Sequence, residues 1–351
     1  MKQSNQQIWS INQLFILLAT LSIVFVVLKH ASGLFVPFLI AIAIAIVLSP
    51  LLDYLQARRI PKAISLVFIV LLSLLPVIAL GGYVGEEAKA FAANFHMIQQ
   101  QFYASIDKLS GFLGGMGIEV SRDDINMMLE KSNIGEVLKN LASQAGSQFS
   151  NIFLIFFTAA FMLMESDYLY SKMMKIMEES GRNAEGGMEI IEKIKSYFLI
   201  KVKTSLMTAL WVLAVLWYYD VGYYYLWATL AFFLNFIPVI GSILAAIPAV
   251  AMAVIDQTWM TAFWVALWYV IINTVVGNIL EPRIMGKGLG LSALAIFLSM
   301  TFWGWIFGPA GMILSVPLTM VIQFLFAQYQ ETKWVAFMLS DYEGVTPKKE
   351  K

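Results

Sequence analysis

The sequence predicts an all-α polytopic membrane protein. It should have six to eight transmembrane helices, including two Pro/Gly-broken segments in an inverted repeat, plus an extracytoplasmic amphipathic helical segment. Three observations predict this. Of 351 residues, 60% are hydrophobic and 13% charged, and the mean hydropathy is +0.75, more than a soluble domain of this length needs to fill its core. Apolar runs of about 18 residues or more, the length that crosses roughly 30 Å of hydrocarbon, recur along the chain. One element is also written twice: Ile237-Pro238-Val239-Ile240-Gly241-Ser242-Ile243-Leu244-Ala245-Ala246-Ile247-Pro248-Ala249-Val250 recurs, slightly shortened, as Gly308-Pro309-Ala310-Gly311-Met312-Ile313-Leu314-Ser315-Val316-Pro317-Leu318-Thr319.

The apolar runs place spans near 11–28, 34–52, 63–84, 149–165, 197–219 and 258–280. The first could pass for the core of a signal peptide, but only Lys2 precedes it and no small-residue cleavage pattern follows Lys29-His30, so it reads as a retained span. Two longer stretches, 223–255 and 290–328, contain the repeated breaks and are too long for one straight span. Each is expected to be a re-entrant hairpin or a broken crossing helix.

Orientation follows from Lys and Arg in the loops. Arg58, Arg59 and Lys62 crowd one short connection, and Lys172, Lys175, Arg182, Lys193, Lys195, Lys201 and Lys203 populate another region. Both should be cytoplasmic, with 85–148 outside and the N- and C-termini inside. Within the outer segment, Phe91, Phe95, Ile98, Phe102, Ile106 and Leu109 recur at helical spacing as one apolar stripe. The stripe packs on its own chain, docks on neighbouring subunits or lies in the membrane surface, the last disfavoured by the scarcity of Lys on its polar face. Gly111, Gly114, Gly115 and Gly117 should end that helix, and Ser121 with Asp124 reads as a capping box for another through Leu141. The organisation expected is a three-span region over 1–84, the outer segment over 85–148, a fourth span and cytoplasmic connector over 149–196, a repeat-containing core over 197–330 and a cytoplasmic tail over 331–351.

The repeat carries the functional argument. Proline removes a backbone N–H and displaces a carbonyl, and glycine permits turns and close approach. In lipid such freed groups are tolerated only where protein or a water-filled cavity satisfies them. Paired breaks in corresponding halves are the pointer to a transporter site made from discontinuous helices. If each broken segment returns to its own side, the unit of 197–255 and the unit of 258–328 are inverted relative to each other, and Glu281-Pro282-Arg283 with Lys287 is cytoplasmic.

Polar side chains in this half are few: Asn235, Asn273, Thr274, Asn278, Glu281, Arg283 and Gln323. Intramembrane ionisable groups are costly and usually functional or paired. A site lined by Asn235, Pro238, Gly241, Asn278, Pro309 and Gly311 is expected, with Glu281 and Arg283 controlling access and pairing with each other or with Asn235 and Asn278. Lys201 and Lys203, at the start of a span, read as snorkelling anchors. Trp217, Tyr218, Tyr219, Tyr223, Tyr224 and Tyr225 around Asp220 suit an interfacial belt.

Enzyme templates fail. The chain has no cysteine and only His30 and His96, so it offers no thiolate chemistry and no His-Glu-x-x-His metal site. An esterase elbow and a Walker A loop are absent as well, so no cofactor or catalytic residue is expected. A net charge of zero argues against a nucleic-acid partner. Transport would then be driven by a gradient or by the substrate itself.

The chain resembles the autoinducer-2 exporter family. The matching pieces are Asn235-Phe236-Ile237-Pro238-Val239-Ile240-Gly241 and Pro248, then Gly277-Asn278-Ile279-Leu280-Glu281-Pro282-Arg283-Ile284-Met285-Gly286 and Leu289-Gly290-Leu291-Ser292, and finally Phe302-Trp303-Gly304-Trp305, Gly308-Pro309-Ala310-Gly311-Met312 and Val316-Pro317-Leu318. Ala293 stands where the family usually has proline. The resemblance implies secondary transport in a bacterial inner membrane, with export of the quorum-sensing signal autoinducer-2 as namesake activity. It implies a homo-oligomer, a pentamer in the family's pattern. Some relatives are assigned sodium or lithium/proton antiport, with Glu281 the one candidate proton carrier here. A non-transporting membrane scaffold that uses 85–148 for interaction is the reading from another class.

Overall fold

A computed structural model describes residues 11–114, 149–179, 184–238, 240–285 and 290–341. Among the described residues every regular element is a helix. Helix α1 (Ile11–His30) covers the first expected span, and α2 (Ser32–Ala57) and α3 (Lys62–Gly114) follow. A tight turn joins α2 to α3, with Arg59 at φ 64° and the Ile60 N–H closing back on the Leu55 carbonyl at 3.3 Å. Next come α4 (Phe149–Glu179), α5 (Ala184–Tyr218), α6 (Tyr224–Leu234), α7 (Gly241–Asp256) and α8 (Trp259–Ile272). A π-helix (Asn273–Leu280) continues α8 into α9 (Glu281–Met285), and α10 (Ala293–Phe307), α11 (Pro309–Ala327) and α12 (Lys333–Leu339) complete the chain.

Among the described residues six stretches are long and apolar enough to cross a membrane: Ser32–Ala57, Lys62–Lys108, Ile152–Leu169, Gly186–Tyr218, Trp259–Met285 and Pro309–Ala327. Five of them coincide with expected spans. The sixth, Pro309–Ala327, is the second half of a broken segment.

Both broken segments are helical hairpins. In the first, α6 ends in a turn over 235–238, where the Ile237 N–H donates to the Leu234 carbonyl at 2.8 Å, and α7 follows from Gly241. In the second, α10 and α11 meet at Gly308, whose φ of +65° is open to glycine at little cost. The glycines that follow have one job in both copies. A Cβ on Gly241 would collide with the Leu234 carbonyl, and one on Gly311 with the Trp303 carbonyl. Each hairpin therefore closes by laying the first turn of its second helix directly on the backbone of its first. With 11 residues, α6 is roughly 16 Å long, about half of what a crossing needs.

The bases of the two hairpins pack on different parts of α5. The base of the first lies where α5 ends: the Gly222 N–H donates to Asp256 Oδ2 at 2.7 Å and Gln257 Nε2 donates to the Asp220 carbonyl at 3.1 Å. Partial burial pushes the Asp256 carboxyl above its usual range, the Gly222 N–H partly opposes this, and the Asp220 charge adds to it. The base of the second hairpin lies beside the first half of α5. There the Ser292 N–H meets the Leu339 carbonyl at 2.9 Å, Gln323 Nε2 donates to the Gly290 carbonyl at 2.9 Å, and Leu291 packs with Tyr197 and Phe198.

The apolar stripe that begins at Phe91 is not a separate helix, because α3 runs continuously from the span into it. Phe91 is buried in edge contact with Tyr223 and Trp227, and Phe95 and Ile98 pack on the same cluster. Glu87 Oε2 also accepts the Leu226 N–H at 2.7 Å, so a carboxylate from a distant helix caps a free N–H at the start of α6. This part of the stripe thus packs on its own chain. Leu109's side chain, Gly115, Gly117 and the helix expected from Ser121 to Leu141 lie outside the described residues.

Small residues line the contact of α6, α7 and α8, with Ala228, Ala231, Ala245, Ala249, Ala253 and Ala262 buried, which lets the helices approach closely without help from a hydrophobic driving force in lipid. The second hairpin is pinned by polar atoms instead. Trp303 Nε1 donates to Thr319 Oγ1 at 3.1 Å, Thr319 Oγ1 to Ser299 Oγ at 2.8 Å, and Ser299 Oγ to the Ala295 carbonyl at 2.6 Å, all buried. Thr319→Val strands the indole N–H and is expected to cost about 1–3 kcal/mol. Thr319→Ser keeps the relay and should leave the melting temperature nearly unchanged; equal losses for both in purified protein would show that the relay does not hold the hairpin.

Candidate functional site

A cleft of about 280 Å³ opens between the tip of the first hairpin, the π-helix, α5 and the flank of the second hairpin. Its floor is charged. Lys201 Nζ lies 2.7 Å from Glu281 Oε1, with the two side chains 9% and 13% exposed. The same ammonium donates to the Asn235 carbonyl at 3.2 Å, and Thr204 Oγ1 donates to Glu281 Oε2 at 3.3 Å. Asn235 Nδ2 donates to Ser205 Oγ at 3.0 Å, which fixes the amide at the end of α6. Every interaction joins α5 to a residue at least 30 positions away in sequence.

Each element holds its polar group for a local reason. On α5, Tyr197, Lys201, Thr204, Ser205 and Thr208 fall at helical spacing, so one face of an otherwise apolar helix is polar, and all five are buried. Pro238 has no N–H to offer the Leu234 carbonyl, α6 ends there, and the Asn235 carbonyl at its C-cap accepts from Lys201. The π-helix widens the turn at Asn273–Leu280, a feature that often marks functional sites, and turns Asn273, Gly277 and Asn278 to the cleft. At Gly277 a Cβ would stand 3.0 Å from Asn273 Oδ1, so glycine preserves the space beside that amide. Ile296 and Val316 of the second hairpin form the apolar wall. Tyr197 OH is buried beside the cleft and has no hydrogen-bond partner among the described residues, a costly arrangement for a polar group.

Of the residues expected at the site, Asn235, Pro238, Asn278 and Glu281 line the cleft. Gly241, Pro309 and Gly311 instead build the hairpin turns, and Arg283 is exposed on α9. Glu281 does not pair with Arg283, and Lys201 is no snorkelling anchor: it is buried and is the partner of Glu281. Lys201, Tyr197, Ser242, Asn273 and Gly277 join the cleft beyond expectation. The signal that could have found Lys201 is the polar face of α5, whose Lys-x-x-Thr-Ser-x-x-Thr spacing sits inside a span.

A multi-spanning helical bundle with two broken hairpins and a buried charge pair in a polar cleft is the architecture of a membrane transporter, not of an enzyme. The chain belongs to the AI-2E transporter family, whose model matches residues 14–331. It is similar to the AI-2 transport protein TqsA of Escherichia coli (strain K12), at 34% identity over 329 residues that cover 94% of this chain and 96% of that protein. A protein of Haemophilus influenzae is 33% identical over 332 residues, covering 93% and 95%. YhhT of Escherichia coli is 28% identical over 304 residues, covering 87% of each. Both of these are named for transport with no substrate given.

Proposed function

We propose that this protein is a secondary transporter exporting a small polar metabolite by alternating access, with autoinducer-2, the cargo in the name of TqsA, as the candidate. The observation that carries this reading is the cleft itself, in which amides and an unpartnered phenol surround a buried charge pair beside a broken helix. A neutral hydroxyl-rich solute needs directional donors and acceptors, which Asn235, Asn273, Asn278, Ser242 and Tyr197 offer. In this reading the two hairpins are inverted re-entrant elements within a transport core over 197–330. The 1–84 region and the outer segment support it, in a bacterial inner membrane with both termini cytoplasmic. A homo-oligomer, pentameric in the family's pattern, belongs to the same proposal.

Sodium or lithium/proton antiport is the second reading. It is weaker because Glu281 is the one carboxylate lining the cleft and is already paired. A scaffold role has no use for two matched hairpins around a polar cleft. The test is counterflow of labelled autoinducer-2 in proteoliposomes. Wild type should exchange label, and Asn278→Ala should slow exchange about 3–10-fold, the worth of one or two lost hydrogen bonds. No exchange in wild type, together with sodium-driven proton movement, would favour antiport.

A further inference from the structure

The broken end of α6 is built to hold a cation. The last carbonyls of a helix have no intrahelical donor and carry the negative end of its dipole. Half-helix C-termini and unwound carbonyls are the groups with which discontinuous helices coordinate coupling cations. Here the Asn235 carbonyl is such a group, Glu281 adds a carboxylate, and Thr204 places a hydroxyl on that carboxylate. The position is taken by the protein itself: the Lys201 ammonium lies between Glu281 Oε1, at 2.7 Å, and the Asn235 carbonyl, at 3.2 Å. Among the described residues no group of three or more His, Cys, Asp or Glu stands together to hold a metal ion elsewhere. One carboxylate neutralised by a tethered ammonium has no charge left for a free cation in the same place, and the two cations would repel at that separation.

We propose that Lys201 is a tethered cation filling a coupling-cation site made by Glu281, the Asn235 carbonyl and Thr204, so that the protein neither needs nor binds Na⁺ or Li⁺ there. Removing the ammonium turns the position into a sodium site. The inference rests on reading the cleft as the translocation site, but its test does not use a transported solute.

Full-length protein is melted in sodium chloride and in choline chloride at equal ionic strength. Wild type should melt at the same temperature in both. Lys201→Ala should melt higher in sodium by about 2–4 °C, and Lys201→Ala/Glu281→Gln should lose that response. A sodium-induced rise in wild type overturns the proposal, and so does Lys201→Ala melting identically in both salts. If Lys201→Ala and Lys201→Gln both yield no folded protein even in sodium, the proposal also falls, because sodium must be able to stand in for the ammonium. A sodium response without autoinducer-2 counterflow removes only the substrate reading; counterflow without the sodium response removes only this one.

Discussion

In sodium-free buffer, Lys201→Met or Glu281→Gln alone should abolish solute exchange and destabilise the protein by about 3–5 kcal/mol, while the double variant recovers most of that loss. The reasoning is an asymmetry of buried charge. Taking an ammonium and a carboxylate out of water is expensive, and their attraction at 2.7 Å largely offsets the cost only while both are present. Removing one leaves the other buried in the floor of the cleft without its charge partner, with Ile237, Ile296 and Val316 nearby. Removing both leaves two neutral groups that the cleft can tolerate. Stability should therefore return in the double variant and transport should not, because the group that organises the Asn235 carbonyl is gone. Melting temperature and counterflow on the same four proteins separate the two quantities. If the double variant loses as much stability as the two single losses added together, the residues do not act as a pair and the account of the cleft is wrong.

Gly241→Ala and Gly311→Ala should each disrupt a hairpin, with a cost of about 1–3 kcal/mol or more and loss of transport. The added methyl meets the backbone carbonyl of Leu234 or Trp303, and a carbonyl within a helix cannot rotate aside as a flexible side chain would. The second helix must instead move away from the first, which opens the Ala-lined contact of α6 and α7 in one case and strains the Trp303–Thr319 hydrogen bond in the other. Gly82→Ala is the control. It lies inside α3 with nothing within 4 Å of an added Cβ, so alanine there should be neutral or stabilising by about 0.5–1 kcal/mol through helix propensity. Thermal melting of the three variants checks the contrast, and equal behaviour of Gly82→Ala and Gly311→Ala would remove close packing as the reason for the glycines.

The residues that were legible in sequence and those that were not differ in how local their cause is. The duplicated Pro/Gly element marked both hairpins, since loss of an N–H and access to unusual backbone angles are properties of the residue itself. That logic named Gly241, Pro309 and Gly311 but assigned them to a lining, because it could not distinguish a glycine that faces a solute from one that lets two backbones touch. Nearness in sequence offers Arg283 as one partner for Glu281, beside Asn235 and Asn278, yet two residues on one helical turn point in different directions, and Arg283 faces outward. Lys201 was placed at a membrane surface by its position near the start of a span, whereas α5 begins at Ala184, well before the apolar run, so Lys201 lies inside the helix.

By itself the sequence determined the helical membrane class, the two interruptions and the family, since hydropathy over about 20 residues and the chemistry of Pro and Gly act locally. Only the tertiary structure decided what those interruptions are for. Thr204 and Glu281, 77 residues apart, share a hydrogen bond. The Asn235 carbonyl gains a donor from α5, and the π-helix swings its amides toward the same cleft. A buried charge must be matched by whatever charge the fold brings to it, and which one arrives is settled by packing between distant helices.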